Sequence, residues 1–554
     1  MNYPGEHRHL ISSLCVLILT LVVLMLCMTR DLNIYDESIV LVGAMRWTAG
    51  EMLHRDFYAN YGPANYAVVS GLVSVFGESM MTIRLYAVFT MASVITLTYR
   101  LLVSRTTLPF CLLGTGLCGS FILGSPFYLY SVFPVMALAL LGTHFLLPVG
   151  SQITAKRALL SGMFTGVAAL FRYDSGFFIL LAHSLVILLV IEAGTVGARI
   201  RRTLPLVITY ATGSLFAFLP FAILYLTAAP LGPFMHDIFE YPLEYYRRMR
   251  GLPFPDVSAL IKNPLNLGVY FPVLAVGLAL SNFWLSRQSG QMKCERSTNR
   301  LFVAMFVFTV VLFYKGLVRV ETVHMLMSII PATLLVALTL QGLWLRQKAA
   351  WVLALMPVIW VAPSAVVAWQ VLQNVRDPYR TLGGETMLSA IGRDQCADQL
   401  GLGPLRLAPK YAAVGQFLRQ HTSKSDRVFV GLNRHDKTFA NPIGVYVAAG
   451  RLPATHWHQF DPGLQNRADI QKEIIADLIR YKAKWIVRDS SFSETDEPNE
   501  SSKSSGVLNL DRFIAEQYRP VAQADNVVVW HSKISDYPVF QNTSKCSGLV
   551  LLGS

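Results

Sequence analysis

Two adjacent carboxylates, Asp36 and Glu37, stand seven residues beyond the end of an apolar stretch, Leu10 to Thr29. After them come an amphipathic segment, Ser38 to Ala49, and the cluster His54-Arg55-Asp56-Phe57-Tyr58-Ala59-Asn60-Tyr61-Gly62-Pro63. Acidic groups this close to an apolar boundary are costly unless paired or at work. Their bland alternative is to open a helix, where a carboxylate gains about 0.3–1 kcal/mol from the dipole. Four further sets carry cations: Arg84; Arg172-Tyr173-Asp174; Lys315, Arg319, Glu321 and His324; and Tyr245-Tyr246-Arg247-Arg248-Met249-Arg250, behind His236-Asp237 and Glu240-Tyr241. A guanidinium suits a phosphate group because it donates two parallel hydrogen bonds. The same residues also serve as snorkelling or interfacial anchors. His54, His236 and His324 could approach one another, yet the loops contain no HExxH, CxxC or Asp-x-Asp, so no cofactor is assigned and a divalent metal is left open. His456-Trp457-His458 and Asp461 read either as a sugar-stacking or ligand set or as a solvated turn.

The elements that must position these groups are membrane spans. The chain has 554 residues, 53% hydrophobic and only 15% charged, where a soluble chain carries about 25% charged. Its net charge of +13 comes from arginines and lysines set between apolar spans, so no nucleic-acid partner is inferred. Cys15, Cys27, Cys111 and Cys118 lie in such spans; Cys396 and Cys546 are the pair that could join. Candidate spans are 10–29, 82–104, 107–124, 128–147, 157–171, 176–193, 203–229, 264–285, 299–317, 322–343 and 350–372. The segment Ala64 to Phe76 is too short to cross a core that needs about 20 residues, so it is read as interfacial. With eleven spans from a cytoplasmic amino terminus, the turns holding Arg100/Arg105, Lys156/Arg157, Arg199/Arg201/Arg202, Arg287/Lys293/Arg296/Arg300 and Arg346/Lys348 all face the cytoplasm. Residues 1–374, with a first outer loop at 30–81, then form a membrane domain, and 375–554 form a periplasmic one. Helix-like and strand-like segments alternate in the tail: Tyr411–His421 and Arg427–Gly431, Ala468–Tyr481 and Lys484–Val487, Leu510–Tyr518 and Asn526–Trp530. This predicts a small soluble α/β domain, with Ser490 to Gly506 as a mobile loop.

Asp36-Glu37, Gly50…Arg55-Asp56-Phe57…Tyr61-Gly62-Pro63, the Ala64–Phe76 helix, Gly77…Arg84-Leu85 and Lys315…Arg319-Val320-Glu321…His324-Met325-Leu326…Ile330-Pro331 resemble the polyprenyl-phosphate-sugar-dependent glycosyltransferases of the C superfamily (GT-C). Protein O-mannosyltransferases and lipid A aminoarabinose transferases are similar in layout. This chain has Gly62-Pro63 where Pro-Pro is usual, and His324-Met325 where His-Tyr or Arg-Tyr is frequent. The resemblance implies a polytopic α-helical GT-C-like fold and an inverting glycosyltransferase. Asp36 would be the general base, with Glu37 orienting the acceptor, assisting or substituting. Arg84, Arg172, Lys315 and Arg319 would be donor-phosphate ligands. Arg55, Asp56, Tyr61, Asp174, Tyr245, Arg247, Glu321 and His324 are the candidate contacts to acceptor or substrate. The expected partners are a polyprenyl-phosphate sugar, a glycan, lipid or protein acceptor, and the bilayer of a bacterial inner membrane.

Two rivals come from other classes. A transporter or flippase would place charges at mid-membrane and show internal symmetry; a noncatalytic subunit of cell-envelope polysaccharide assembly would leave the loop-one carboxylates dispensable.

Overall fold

The structure is a computed structural model that describes residues 6–29, 31–77, 79–124, 127–192, 195–258, 266–288, 296–347, 357, 361, 365, 407–534 and 549–552. Helices occupy Glu6–Leu26, Asp36–Thr48, Pro63–Phe76, Met80–Val103, Leu108–Leu123, Val132–Leu146, Ala155–Phe171, Tyr173–Val190, Val196–Ala228, Leu267–Gln288, Arg296–Gly316 and Thr322–Gln347. Among the described residues, seven helices are long and apolar enough to cross a membrane. The expected eleventh span, 350–372, lies almost entirely outside the described residues, as do Cys396 and Cys546.

Contacts sort the helix ends into two groups. At one end, Arg84 near the start of Met80–Val103 meets the chain just after Glu6–Leu26, donating to Thr29 O (2.7 Å) and Asp31 O (2.9 Å). Gly62 N donates to Phe171 O at 3.2 Å at the same end. The Pro63–Phe76 helix therefore leaves from and returns to one end, and does not cross. Its 14 residues rise only about 21 Å against a core of about 30 Å. At the opposite end the basic turns gather: Arg105 donates to Leu147 O, its carbonyl accepts from Thr298 Oγ1 and Gln341 Nε2 (3.1 Å each), and Arg296 pairs with Glu192.

The Thr322–Gln347 helix is the central column, with 89% of its most apolar stretch buried in protein, whereas Val196–Ala228 has 11% buried and presents Leu215, Phe216, Ile223 and Leu224 outward. Without a hydrophobic force between helices in lipid, close approach has to come from small residues. Gly162, Gly166 and Gly213 supply it: a Cβ on them would lie 2.0 Å from Tyr210 O, 2.2 Å from Ser214 O and 2.2 Å from Leu159 O.

The segment after the Val196–Ala228 helix is helical from Leu231 to Arg250. Leu231–Met235, an 11-residue π-helical turn His236–Tyr246 and Arg247–Arg250 run on from one another, burying Asp237 and Tyr241. Such i→i+5 segments are rare and gather at functional places.

The tail is the expected α/β unit. Its sheet has five strands, β1 (Val428–Leu432), β2 (Trp485–Asp489), β3 (Tyr518–Ala524), β4 (Val527–Ser532) and β5 (Val550–Leu551), in the order β1-β2-β4-β3-β5. β1 and β2 are parallel and the other pairings antiparallel. The parallel pair is bridged by the Gly444–Ala449 and Ala468–Arg480 helices, as a crossover requires. The sequence reading missed β3 because Pro520 interrupts it; the register shifts there, where a sheet tolerates proline. Ser490 to Gly506 is anchored rather than mobile: Glu497 takes two hydrogen bonds from Arg319, and Asn499 Nδ2 donates to Gly251 O (3.1 Å).

The tail sits on the segment between the first helix and Pro63. Gly444 N donates to Ile34 O at 2.8 Å, Tyr58 N donates to His456 O at 3.1 Å, and buried Arg46 donates to Thr455 O (2.7 Å), His458 Nδ1 (3.3 Å), Asp56 O (2.8 Å) and Glu51. Gly166→Leu should force the Ala155–Phe171 and Val196–Ala228 helices apart and lower stability by roughly 1–3 kcal/mol, read as a fall in melting temperature in detergent; a melt indistinguishable from wild type would refute this account of the glycine seam.

Candidate functional site

Asp36 is the first residue of its helix. Asn33 prepares the turn: its Oδ1 accepts from Tyr35 N (2.9 Å) and Asp36 N (2.8 Å), and its Nδ2 donates to Asp36 Oδ2 (3.4 Å). Helix onset and the candidate base thus coincide at one residue. Burial raises the Asp36 carboxyl above the usual aspartate range; the positive charge of Arg250 and the Asn33 bond oppose this, while Glu321 and Asp461 add to it. A half-buried carboxylate lifted in this way holds a proton better than a solvated one.

Glu37, one residue on, has a different fate. Arg84 Nε donates to its Oε1 (2.6 Å) and Nη2 to its Oε2 (2.7 Å), and Asn33 N donates to Oε2 (3.2 Å). Arg84 is fully buried, with its guanidinium 3.9 Å from the Tyr128 ring centroid. The expected phosphate-binding role does not fit Arg84, whose donors are committed to Glu37, Thr29 O and Asp31 O. Nor is Glu37 free to take a proton from a substrate; the pair fixes the turn that presents Asp36.

Arg172 stands alone in extended conformation between two helices, so Asp174 falls in the first turn of the next rather than in a loop. Asp174 accepts from Arg172 Nε and lies opposite Lys315 Nζ, both at 3.0 Å. Two cations therefore share one carboxylate, leaving an excess positive charge. Arg172 also sits 5.5 Å from the Tyr61 ring centroid, and Tyr61 and Tyr130 both lie in the fields of Arg172, Tyr246 and Asp36. The Gly62 departure has a physical reason: a Cβ there would be 2.2 Å from Leu170 O, so glycine lets Tyr61 press against the Arg172 turn.

Arg319 is engaged otherwise than expected. Nη1 and Nη2 donate to Glu497 (2.9 and 2.6 Å), Nη1 also to Arg250 O (2.9 Å), and Nε to His324 Nε2 (3.2 Å), with Glu321 at 3.7 Å. Because arginine only donates, His324 presents a lone pair at Nε2. Arg319 thus holds the backbone of Arg250, and Arg250 faces the site. Arg250 Nη2 donates to Asp461 Oδ1 (3.1 Å), while its Nε is buried without a partner. Asp461 also accepts from Gln459 (2.9 Å), Tyr58 (3.3 Å) and Tyr35 (3.3 Å), and burial raises its carboxyl against the pull of Arg250.

The site thus gathers Asp36, Tyr61, Arg172, Asp174, Lys315, Glu321 and His324 from the sequence-derived set. Arg250, Asp461, Tyr35, Tyr130, Tyr246 and Glu497 lie outside that set, though Tyr246 and Arg250 belong to the Tyr245–Arg250 motif and Asp461 to the tail's His456-Trp457-His458 group. Arg247 is exposed, and Tyr245 stacks on Tyr241 (6.5 Å, 13°) beneath Arg467 (4.9 Å). Arg55 and Asp56 pair at 2.6 Å beside a separate cavity. The three histidines do not converge: His54 and His236 share Asp237 (2.8 and 3.1 Å), and His324 belongs to Arg319. Among the described residues no group of three His, Cys, Asp or Glu is arranged to hold a metal.

Removing Arg84 leaves Glu37 buried and unpaired, so Arg84→Ala should cost about 3–5 kcal/mol, whereas the double change Arg84→Met with Glu37→Leu should recover much of it. Denaturation in detergent tests this, and an Arg84→Ala protein as stable as wild type would refute the clamp.

No protein-family model matches the sequence, and no curated protein matches it either. Among solved structures the chain is similar to ArnT from Cupriavidus metallidurans bound to undecaprenyl phosphate, with a TM-score of 0.51 and 12% identity over 95% of this chain and 98% of that one. The Archaeoglobus fulgidus oligosaccharyltransferase in complex with Zn and sulfate gives a TM-score of 0.49 and 11% identity over 93% and 73%. At such identity the ArnT likeness is one of fold. The chain is a polytopic helical membrane protein with a fold like that of ArnT and a C-terminal α/β domain seated on the segment between its first helix and Pro63.

Proposed function

We propose that this protein transfers a sugar, with inversion, from a polyprenyl-phosphate-linked donor to a glycolipid, polysaccharide or protein acceptor. The acceptor hydroxyl gives its proton to Asp36 as its oxygen bonds to the anomeric carbon. The bond from that carbon to the phosphate oxygen breaks, and the lipid phosphate leaves with the electron pair. Arg172, Lys315 and Arg250 receive the charge that gathers on the leaving group, in the role of fixed cations at a developing anion. Arg84 and Glu37 act as positioning residues for Asp36, and Arg319 as one for Arg250.

The observation that carries this reading is the half-buried Asp36 at the head of its helix, within the electrostatic reach of Arg250, together with a Lys315–Asp174–Arg172 group with one cation in excess. The fold it shares with ArnT, whose structure holds undecaprenyl phosphate, supports the donor class. We place the site at the outer face of a bacterial inner membrane, with the tail periplasmic. Supporting this, the basic turns collect at the end opposite Asp36.

With labelled polyprenyl-phosphate sugar, Asp36→Asn should lose about 10²- to 10⁴-fold in transfer while staying folded; wild-type turnover by that variant would remove Asp36 as the base. A pH profile gives a second check. Because the base works deprotonated and its pKa is raised, kcat/KM should fall as pH drops through a value above the ordinary aspartate 3.8. The Arg250 charge lowers that value, so Arg250→Gln should move the acid limb to higher pH; a limb that stays or moves down would contradict the placement of Arg250.

A further inference from the structure

Tyr58, which hydrogen-bonds Asp461, stacks on Trp457 (5.5 Å, 29°), and Trp457 lines a separate cavity of about 500 Å³. The cavity opens between the first outer loop, the His236–Tyr246 turn and the Ala468–Arg480 helix. Its volume falls in the roughly 300–1,000 Å³ span of small-molecule sites. Glu473, Asp477 and Arg480 reach it from successive turns of one helix.

The hydrogen-bonding capacity left over in the walls identifies the kind of ligand. Glu473 Oε2 accepts from Trp457 Nε1 (2.7 Å), and Asp477 Oδ2 accepts from His456 N (2.8 Å) and Thr455 Oγ1 (3.2 Å). The second oxygen of each has no partner among the described residues. Opposed to them, Arg467 binds Asp469 through Nε and Nη2 (3.2 and 2.5 Å) and leaves Nη1 without one. Arg480 lies 5.4 Å from the Tyr481 ring centroid and forms no ion pair among the described residues. Carboxylate oxygens and guanidinium N–H groups therefore line one space without satisfying each other. A phosphate only accepts and would meet Glu473 and Asp477; an ammonium only donates and would meet Arg467 and Arg480. Neighbouring hydroxyls on a sugar ring donate to the first pair and accept from the second.

We propose that this cavity binds carbohydrate, as the subsite for the sugar portion of the acceptor; the acceptor role rests on the transferase reading, the carbohydrate chemistry does not. The loop that carries Asp36 at its start carries Arg55 and Asp56 at the cavity rim, so the two sites are joined through a short stretch of backbone.

The test uses the full chain in detergent with methyl glucoside, galactoside, mannoside and glucosaminide as probes, and inorganic phosphate as competitor. Binding is read by calorimetry or saturation-transfer NMR. At least one glycoside should bind wild type and Asp36→Asn equally. Glu473→Gln with Arg480→Ala should weaken it about tenfold or more, the surface change Arg480→Ala alone should weaken it measurably, and phosphate should not displace it. No glycoside binding to wild type, unchanged affinity in both variants, or displacement by phosphate would each overturn the subsite. Absence of transfer by wild type from labelled polyprenyl-phosphate sugar, with glycoside binding present in wild type and lost in the cavity variants, would instead sink the transferase reading and leave the subsite standing.

Discussion

A guanidinium taken wholly out of water must satisfy its donors inside the protein, and Arg84 does so on three residues of one short stretch of chain. Its partners are the carboxylate of Glu37 and the carbonyls of Thr29 and Asp31, which bracket the turn between the first membrane helix and the Asp36 helix. A buried ion pair brings little net stability over an apolar replacement, yet loses much if one partner goes. What it supplies here is placement. With Glu37 held on both oxygens, the helix starts with Glu37 turned inward, and Asp36 before it is left half-buried within the electrostatic reach of Arg250. The rest of the chemistry presupposes that orientation.

The second feature of the architecture is that the tail domain completes the site. The cation facing Asp36 comes from the stretch after the π-helical turn, but its counter-charge, Asp461, comes from the tail. Arg319, which holds the Arg250 backbone, is itself held by Glu497 of the tail. Burial raises both Asp36 and Asp461, and Arg250 acts against both shifts. Its charge thus acts on two carboxylates, the proposed base Asp36 and the tail's Asp461. Arg172 and Lys315 on Asp174 form the complementary arrangement on the membrane side, with two positive groups on one negative.

Much of this was legible in the sequence, and for identifiable reasons. Apolar runs located the helices within a few residues, and the shortness of Ala64–Phe76 predicted a segment that does not cross. Alternating patterns in the tail located both β1 and β2 and the helix before each. Asp36 stood out because a carboxylate beside an apolar boundary is rare. Glu37 looked equivalent to it, since nothing in two adjacent acids tells which will turn inward to meet an arginine 47 residues away. Arg84 and Arg319 were misread for the same reason: a cation's role depends on whether its donors are already engaged, and Glu497 is 178 residues from Arg319. Arg250 was hidden among neighbours of the same type until the π-helical turn fixed which side chain faces inward.

The Arg250–Asp461 contact also bears on how the molecule comes into being. The two residues are 211 positions apart, and Glu497 lies later still, so the membrane helices are synthesised well before their partners in the tail leave the ribosome. Until then Arg250 has no Asp461 to settle on and Arg319 no Glu497. A nascent chain can thus be fully inserted in the bilayer and still lack these contacts, and the folding of its last segment is the step that assembles the candidate site.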